Sequence, residues 1–113
     1  MEHLYEVNVE GESTSSVTRY MDYLTASIRA RGGKLIKVWH GGATPDGKAR
    51  LRDAARLHVR RLKRQGRISF YIYGEDLSWE NEETRYLLDK YPRFEGQDSH
   101  FGTKSDEYFI ICL

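Results

Sequence analysis

A short glycine-rich segment contains the residues best suited to chemistry. His40, Gly41 and Gly42 follow a β-prone run and precede a stretch rich in lysine and arginine. Histidine changes its charge near neutral pH, so it can transfer a proton or contact a phosphate. Backbone N–H groups of a glycine turn that leads into a helix can hold an anion, although a plain strand-to-helix turn needs similar glycines. The segment is a candidate seat for a phosphate or carboxylate group.

The net charge of +1 conceals a strongly basic segment. Residues 48–67 contain nine of the 18 lysines and arginines and one acidic residue, Asp53. At helical spacing, four of these cations form a row beside the apolar face, which we call the basic stripe: Arg52, Arg56, Arg60 and Lys63. Solvated helix faces usually balance their charges. The pattern therefore favours binding to a phosphate backbone, with Lys48 as a further contact, over an ordinary solvated face.

Other side chains give weaker signals. Glu10 and Glu12 lie on one side of an extended segment and could share a divalent ion, but paired carboxylates beside a turn are common. The histidines do not have zinc spacing, so we predict no metal site. Tyr71, Tyr73 and Trp79 could stack on bases, although aromatic residues in strands more often pack.

The elements that must position these residues alternate between strand and helix. The predicted strands are residues 4–9, 35–39, 68–73 and 108–113. The predicted helices begin within the serines at 13–16, span residues 48–64, and follow Ser78 or Asn81 up to Pro92, with a long polar loop over 93–106. The alternation predicts a compact α/β sandwich. The last run is apolar throughout, so we expect it inside the sheet.

Length and composition narrow the protein class. A chain of 113 residues has room for one domain, which we place at residues 1–113. Cys112 is the only cysteine, which excludes an internal disulfide and permits a reducing compartment such as the cytoplasm. The sequence contains no apolar run of membrane-spanning length and no signal peptide, so we expect no membrane partner.

The order of these motifs resembles the small MutS-related (Smr) domain family, in its stand-alone bacterial form. The residues that carry the resemblance are 7–11, 34–42, Leu51-Arg52, 74–77, 81–85 and 108–113. The resemblance implies an α/β two-layer sandwich like the C-terminal domain of translation initiation factor three. Such a fold has a mixed four-stranded sheet, two to three helices, and an antiparallel last strand in the interior.

The resemblance also implies a function, because Smr domains bind DNA or RNA and several nick or cleave it. Their motifs are Leu-Asp-x-His after the first strand and His-Gly-x-Gly after the second. This sequence departs from both, with Asn8 at the acidic position, Glu10 at the histidine position and Ala43 at the second loop glycine. Asn8 cannot be an anionic base, and Glu10 cannot replace an imidazole near neutral pH without a large pKa shift.

Three hypotheses follow. The first is a module that binds DNA or RNA through the basic stripe, Lys48, His40, Gly41 and Gly42 without a cofactor. The second is an endonuclease in which His40 is the acid and Glu10 the base, with a divalent cation possible. The third is a protein-interaction module whose basic face meets an acidic one, in a monomer or a weak homo-oligomer.

Overall fold

The computed structural model describes residues 3–41 and 48–113. The strands of these residues are β1 (Leu4–Asn8), β2 (Leu35–Trp39), β3 (Phe70–Tyr73) and β4 (Tyr108–Cys112). The α-helices are α1 (Val17–Ala30), α2 (Lys48–Arg64), α3 (Glu82–Lys90) and α4 (Phe94–Gln97), and a 3-10 turn spans Gly74–Asp76. Among the described residues, no helix has the length and apolarity needed to cross a membrane.

The strands form one mixed sheet in the order β1-β2-β4-β3. β1 is parallel to β2, and β4 is antiparallel to both β2 and β3. Strands β1, β2 and β3 therefore run in the same direction and end at the same edge of the sheet. Every residue of β4 is buried, because β4 lies between two strands and both of its faces are covered. The predicted antiparallel last strand in the sheet interior is confirmed.

Helices cover both faces of the sheet. Alternate side chains of β2 illustrate the division, since Val38 packs with α1 and α2, and Leu35 packs with α3 and α4. The predicted α/β fold with a mixed four-stranded sheet is confirmed. The described residues contain four α-helices where two to three were expected. The additional helix, α4, forms in the segment predicted as a polar loop, where Phe94 is buried in the second core.

The ends of two helices follow the sequence signals. α2 has the predicted bounds, and Gly66 lies just beyond it in a left-handed conformation with a φ of 72°. α3 begins after Asn81, whose side-chain Oδ1 accepts a 2.8 Å hydrogen bond from the Thr84 N–H. Of the two N-caps that the sequence offered, Ser78 and Asn81, the structure therefore uses Asn81.

A buried ion pair lies under the α3 and α4 face of the sheet. Lys37 on β2 extends its ammonium group to within 2.5 Å of the Asp98 carboxylate, and both side chains are almost fully buried. The ammonium group also lies 4.3 Å from the centre of the Tyr108 ring and 4.5 Å from that of Trp39. The Tyr108 hydroxyl donates a 3.2 Å hydrogen bond to the other Asp98 oxygen. Asp98 thereby ties the segment after α4 to the centre of the sheet.

Candidate nucleic-acid interface

The candidate residues from the first two strands meet at the carboxyl edge of the sheet. Glu10 follows β1 and Gly41 follows β2, and a Cβ atom built on Gly41 would lie 3.6 Å from a Glu10 carboxylate oxygen. Gly41 has a φ of 82°, a left-handed conformation that disfavours other residues. Asn8 supports this turn, because its Oδ1 accepts a 2.8 Å hydrogen bond from the Glu10 N–H. Ligands of open α/β sheets characteristically bind at this edge.

His40 is completely buried at this edge. Its backbone N–H donates to the Glu107 carbonyl at 2.9 Å, and its Nδ1 lies 2.7 Å from the Gly41 carbonyl oxygen. A carbonyl oxygen can only accept, so Nδ1 carries the proton and Nε2 carries the lone pair. Nε2 has no hydrogen-bond partner among the residues that the structure describes. Within that part of the chain, the ring therefore keeps one acceptor without a partner.

Burial sets the charge state of His40. Desolvation is the largest cause that lowers its pKa to about 4, and the charges of Arg56 and Arg52 lower it further. The hydrogen bond to Gly41 acts in the opposite direction. His40 is consequently neutral at neutral pH. This state suits a hydrogen-bond acceptor or a general base, whereas the sequence suggested a proton donor.

The loop between β2 and α2 carries candidates that lie outside the described residues. Gly42 and Ala43 belong to residues 42–47, and the side chain of Lys48 is likewise outside the description. The seat for an anion at the start of α2 thus stays a prediction.

The first two arginines of the basic stripe form ion pairs with carboxylates of the same chain. Arg52 Nη1 lies 2.9 Å from Oδ2 of Asp106, and Arg56 Nη2 lies 2.6 Å from Oε1 of Glu75. The two arginine side chains are 21% and 15% exposed. Arg56 also stacks on Tyr73, with its guanidinium carbon 4.1 Å from the ring centre. Arg52 and Arg56 are therefore held within the fold, and their role as phosphate contacts stays a prediction.

These contacts depend on where β3 ends and β4 begins. Glu75 belongs to the turn directly after β3, and Asp106 lies two residues before β4. Gly74 permits the close approach of the two segments, because a Cβ atom there would overlap the Ser105 carbonyl oxygen. The sequence analysis gave Glu75 and Asp106 no role of their own. Their acidity was visible, but no local signal linked them to α2.

The Nε atoms of Arg52 and Arg56 are further buried polar atoms near the carboxyl edge of the sheet. Both atoms are buried, and neither makes a hydrogen bond to a residue within 3–41 or 48–113. Arg52 Nε lies 3.5 Å from the Asp53 carboxylate, so Arg56 Nε and His40 Nε2 are the two buried atoms at this edge that have no partner among the described residues. Buried polar groups normally have partners, so these atoms mark a place where a polar group can add hydrogen bonds.

The second half of α2 carries cations that stay open. We call them the distal patch, and they are Arg60, Arg61, Lys63 and Arg64. All four are exposed, and none forms an ion pair with a carboxylate in the part of the chain that the structure describes. Cations in the last turns of a helix interact favourably with its dipole, which helps to tolerate their mutual repulsion. The distal patch is an open positive surface.

The remaining histidine near the core has an internal role. His58 Nε2 on α2 lies 2.7 Å from the Asp22 carboxylate on α1. Arg67 contacts the same carboxylate at 3.2 Å. Within the described residues, no three His, Cys, Asp or Glu side chains come together as potential metal ligands.

Comparison with known proteins gives one informative match. The structure is similar to the crystal structure of the Smr domain of Thermus thermophilus MutS2, with a TM-score of 0.57 and 18% sequence identity. The match covers 96% of this chain and 96% of that chain. No protein-family model matches the sequence. No curated protein matches it either.

The likeness defines the fold of the chain. Because the match extends over nearly all of both chains, the architecture is that of an Smr domain. The predicted resemblance is therefore confirmed at the level of the fold.

Proposed function

We propose that this chain is a nucleic-acid-binding domain that contacts the phosphates of DNA or RNA through the distal patch. The observation that carries the proposal is the division of α2. Two of its arginines are held by carboxylates, whereas Arg60 and Lys63 of the stripe, with Arg61 and Arg64, are exposed and unpaired among the described residues. Clustered unpaired cations on one face of a helix are the footprint of phosphate binding. The Smr fold supports the same conclusion.

The other predicted contacts have different roles in this proposal. Arg52 and Arg56 reach a phosphate only if it competes with Asp106 and Glu75, so they contribute less than the distal patch. His40 is completely buried, so its Nε2 lone pair can accept a hydrogen bond from a ribose hydroxyl or from a base only if the residues that cover it move. Gly42 and Lys48 would supply an N–H group and charge at the start of α2, whereas the Gly41 N–H already donates to the Glu107 carbonyl at 3.1 Å. None of these contacts requires a cofactor.

The test is a salt-dependent binding titration. Fluorescein-labelled single-stranded and duplex DNA and RNA are titrated with the protein at about 50 and 200 mM salt, where phosphate contacts weaken steeply. Arg60→Glu with Lys63→Glu should lower the affinity at least about tenfold and reduce the salt slope by about 2. The matched control is Arg19→Glu with Arg31→Glu, which makes the same charge change at exposed positions of α1 and its end. Equal losses in both variants, or affinity that does not fall with salt, would contradict the proposal.

A strand-cutting activity is a second candidate. It rests on the Glu10 carboxylate beside Gly41 and on the neighbouring His40 Nε2, which has no hydrogen-bond partner in the described ranges. A neutral imidazole can take a proton from an attacking hydroxyl. Incubation of supercoiled plasmid or RNA with the protein, with and without Mg²⁺, should then give cut products that disappear in His40→Asn and Glu10→Gln. Cleavage that persists in both variants would exclude these residues.

The third hypothesis, association between the basic face of one copy and the acidic face of another, is tested by sedimentation of the purified protein. Sedimentation at two salt concentrations should show a monomer or a weak dimer that dissociates as salt rises.

The cytoplasm is the compartment we propose, since the chain has a single buried thiol and needs no oxidant to fold.

A further inference from the structure

We propose that the outer edge of β3 binds one unpaired nucleobase of a single strand, with guanine preferred. The inference rests on the proposed function, because the phosphates of that strand would lie on the distal patch. It goes further by assigning a base-reading site to side chains of β3, α3 and the turn between them.

A cavity of about 220 Å³ lies between the distal patch and α3. Its lining consists of Lys63 on α2, Tyr71 to Tyr73 on β3, Asp76, Asn81 and Glu83. Pockets for drug-sized ligands are larger, about 300–1,000 Å³, so this one has room for a single flat ring. β3 is the edge strand of the sheet, and the outer side of the cavity is therefore free of a neighbouring strand.

Two tyrosines provide the stacking surface. Tyr71 and Tyr73 are two residues apart on β3, so their side chains lie on the same face, and their ring centres are 5.4 Å apart at an angle of 39°. Both are partly exposed. Arg56 covers Tyr73 at 4.1 Å, and Lys63 Nζ lies 5.8 Å from the Tyr71 ring centre. Tyr71 is thus the more open ring, with a cation ready for the adjacent phosphate.

The rim of the cavity beyond the tyrosines is negatively charged, opposite in sign to the distal patch. Asp76 and Glu83 are exposed, and neither side chain forms an ion pair or hydrogen bond with another described residue. The Asn81 Oδ1 is used to cap α3, which leaves its amide group as a donor. A guanine base presents N–H and amino donors beside a carbonyl acceptor. A carboxylate and an amide donor complement that edge.

The charge layout selects for a single strand. Cations lie on the α2 side of the cavity, and the carboxylates of Asp76 and Glu83 lie on the α3 side. One strand can place its phosphates on the cations and turn its base towards the carboxylates. A duplex would bring its second phosphate chain towards the carboxylates, and its base edges would already be paired.

The test measures the binding affinity of a short labelled oligothymidylate that carries one central guanosine. Two comparison strands carry inosine or thymidine at that position, and a duplex of the same length is titrated as well. We expect the guanosine version to bind about fivefold to a hundredfold more tightly than the other two single strands. Tyr71→Leu should weaken single-strand binding about fivefold or more, while Tyr71→Phe retains it because stacking needs only the ring. Glu83→Gln should remove the guanosine preference, because the carboxylate that accepts from the guanine N–H groups is lost.

Tyr23→Leu is the matched control, since Tyr23 is 66% exposed on α1. The salt slope should be the same in Tyr71→Leu and in the wild type, because no phosphate contact is lost. Single-strand binding that survives Tyr71→Leu, or equal affinity for guanosine and inosine strands, would overturn this inference alone. A wild-type protein that binds none of the strands at low salt would overturn the proposed function as well.

Discussion

Arg56 and Glu75 form an ion pair of 2.6 Å between the middle of α2 and the turn after β3. Glu75 thus binds the Arg56 guanidinium, which the sequence analysis assigned to a phosphate contact. The same arrangement holds for Arg52 and Asp106 at 2.9 Å. The first half of α2 is held by the protein's own carboxylates, and a nucleic acid must compete with them there.

Removing one of these carboxylates should strengthen binding. Glu75→Gln removes the competitor of Arg56 and one negative charge near the distal patch. Partly exposed ion pairs contribute up to about 1 kcal/mol, so we expect affinity for nucleic acid to rise up to about fivefold. Anisotropy titrations at one salt concentration measure this effect. Glu95→Gln, an exposed position on α4, is the control, and an equal rise there would show a general charge effect instead.

Arg56 and Arg60 should differ in their effect on stability. Arg56→Gln loses the Glu75 contact and the Tyr73 stacking, and we expect the free energy of unfolding to fall by about 1–2 kcal/mol. Arg60→Gln lies on the exposed side of the same helix and should change it by less than about 0.5 kcal/mol. Urea unfolding followed by circular dichroism compares the two variants. Similar values would mean that the Arg56 contacts contribute little in solution.

The contrast between these two arginines shows what the sequence could predict. The helical period and Gly66 were sufficient to place α2, and the apolar run at 108–113 was sufficient to place β4 in the sheet. The partners of Arg52 and Arg56 are 54 and 19 residues away in the sequence, so no local pattern connects them. The burial of His40 is equally non-local, because Glu107 and Phe109 reach it from β4 and the residue before it.

Removal of only one charge from the buried pair of Lys37 and Asp98 should strongly lower the free energy of unfolding. Lys37→Met leaves the Asp98 carboxylate uncompensated in the interior, and we expect a loss of about 3–5 kcal/mol in the free energy of unfolding. Lys37→Met with Asp98→Asn removes both charges and keeps an acceptor for the Tyr108 hydroxyl, so it should recover much of that loss. A double-mutant cycle by urea unfolding measures the coupling. Additive losses would indicate that the two charges are not coupled.

His40 should make the protein less stable in mild acid. The unfolded chain has a histidine of ordinary pKa 6.5, while the pKa in the folded protein is about 4. Between these values the unfolded state binds a proton that the folded state does not. Stability is therefore fully present above pH 6.5 and is lost as the pH falls towards 4, by about 3 kcal/mol at most.

The His40→Asn variant isolates this contribution. It cannot titrate at that position, so its stability should fall less than that of the wild type between pH 7 and pH 4. Urea unfolding at closely spaced pH values gives both curves, and the difference between them cancels the other titrating groups. Parallel curves would mean that His40 is accessible to protons in the folded state.

The position of β4 between β2 and β3 governs the order in which the chain can fold during translation. The ribosome delivers β3 before the strand that must join it to β2, so β3 has no partner until residues 108–112 have emerged. Long-range pairing of this kind is slow and leaves an apolar edge uncovered in the meantime. A nascent chain stalled with an added C-terminal linker should accordingly gain protease resistance around Phe70–Tyr73 only when the linker is long enough for residues 108–112 to leave the exit tunnel.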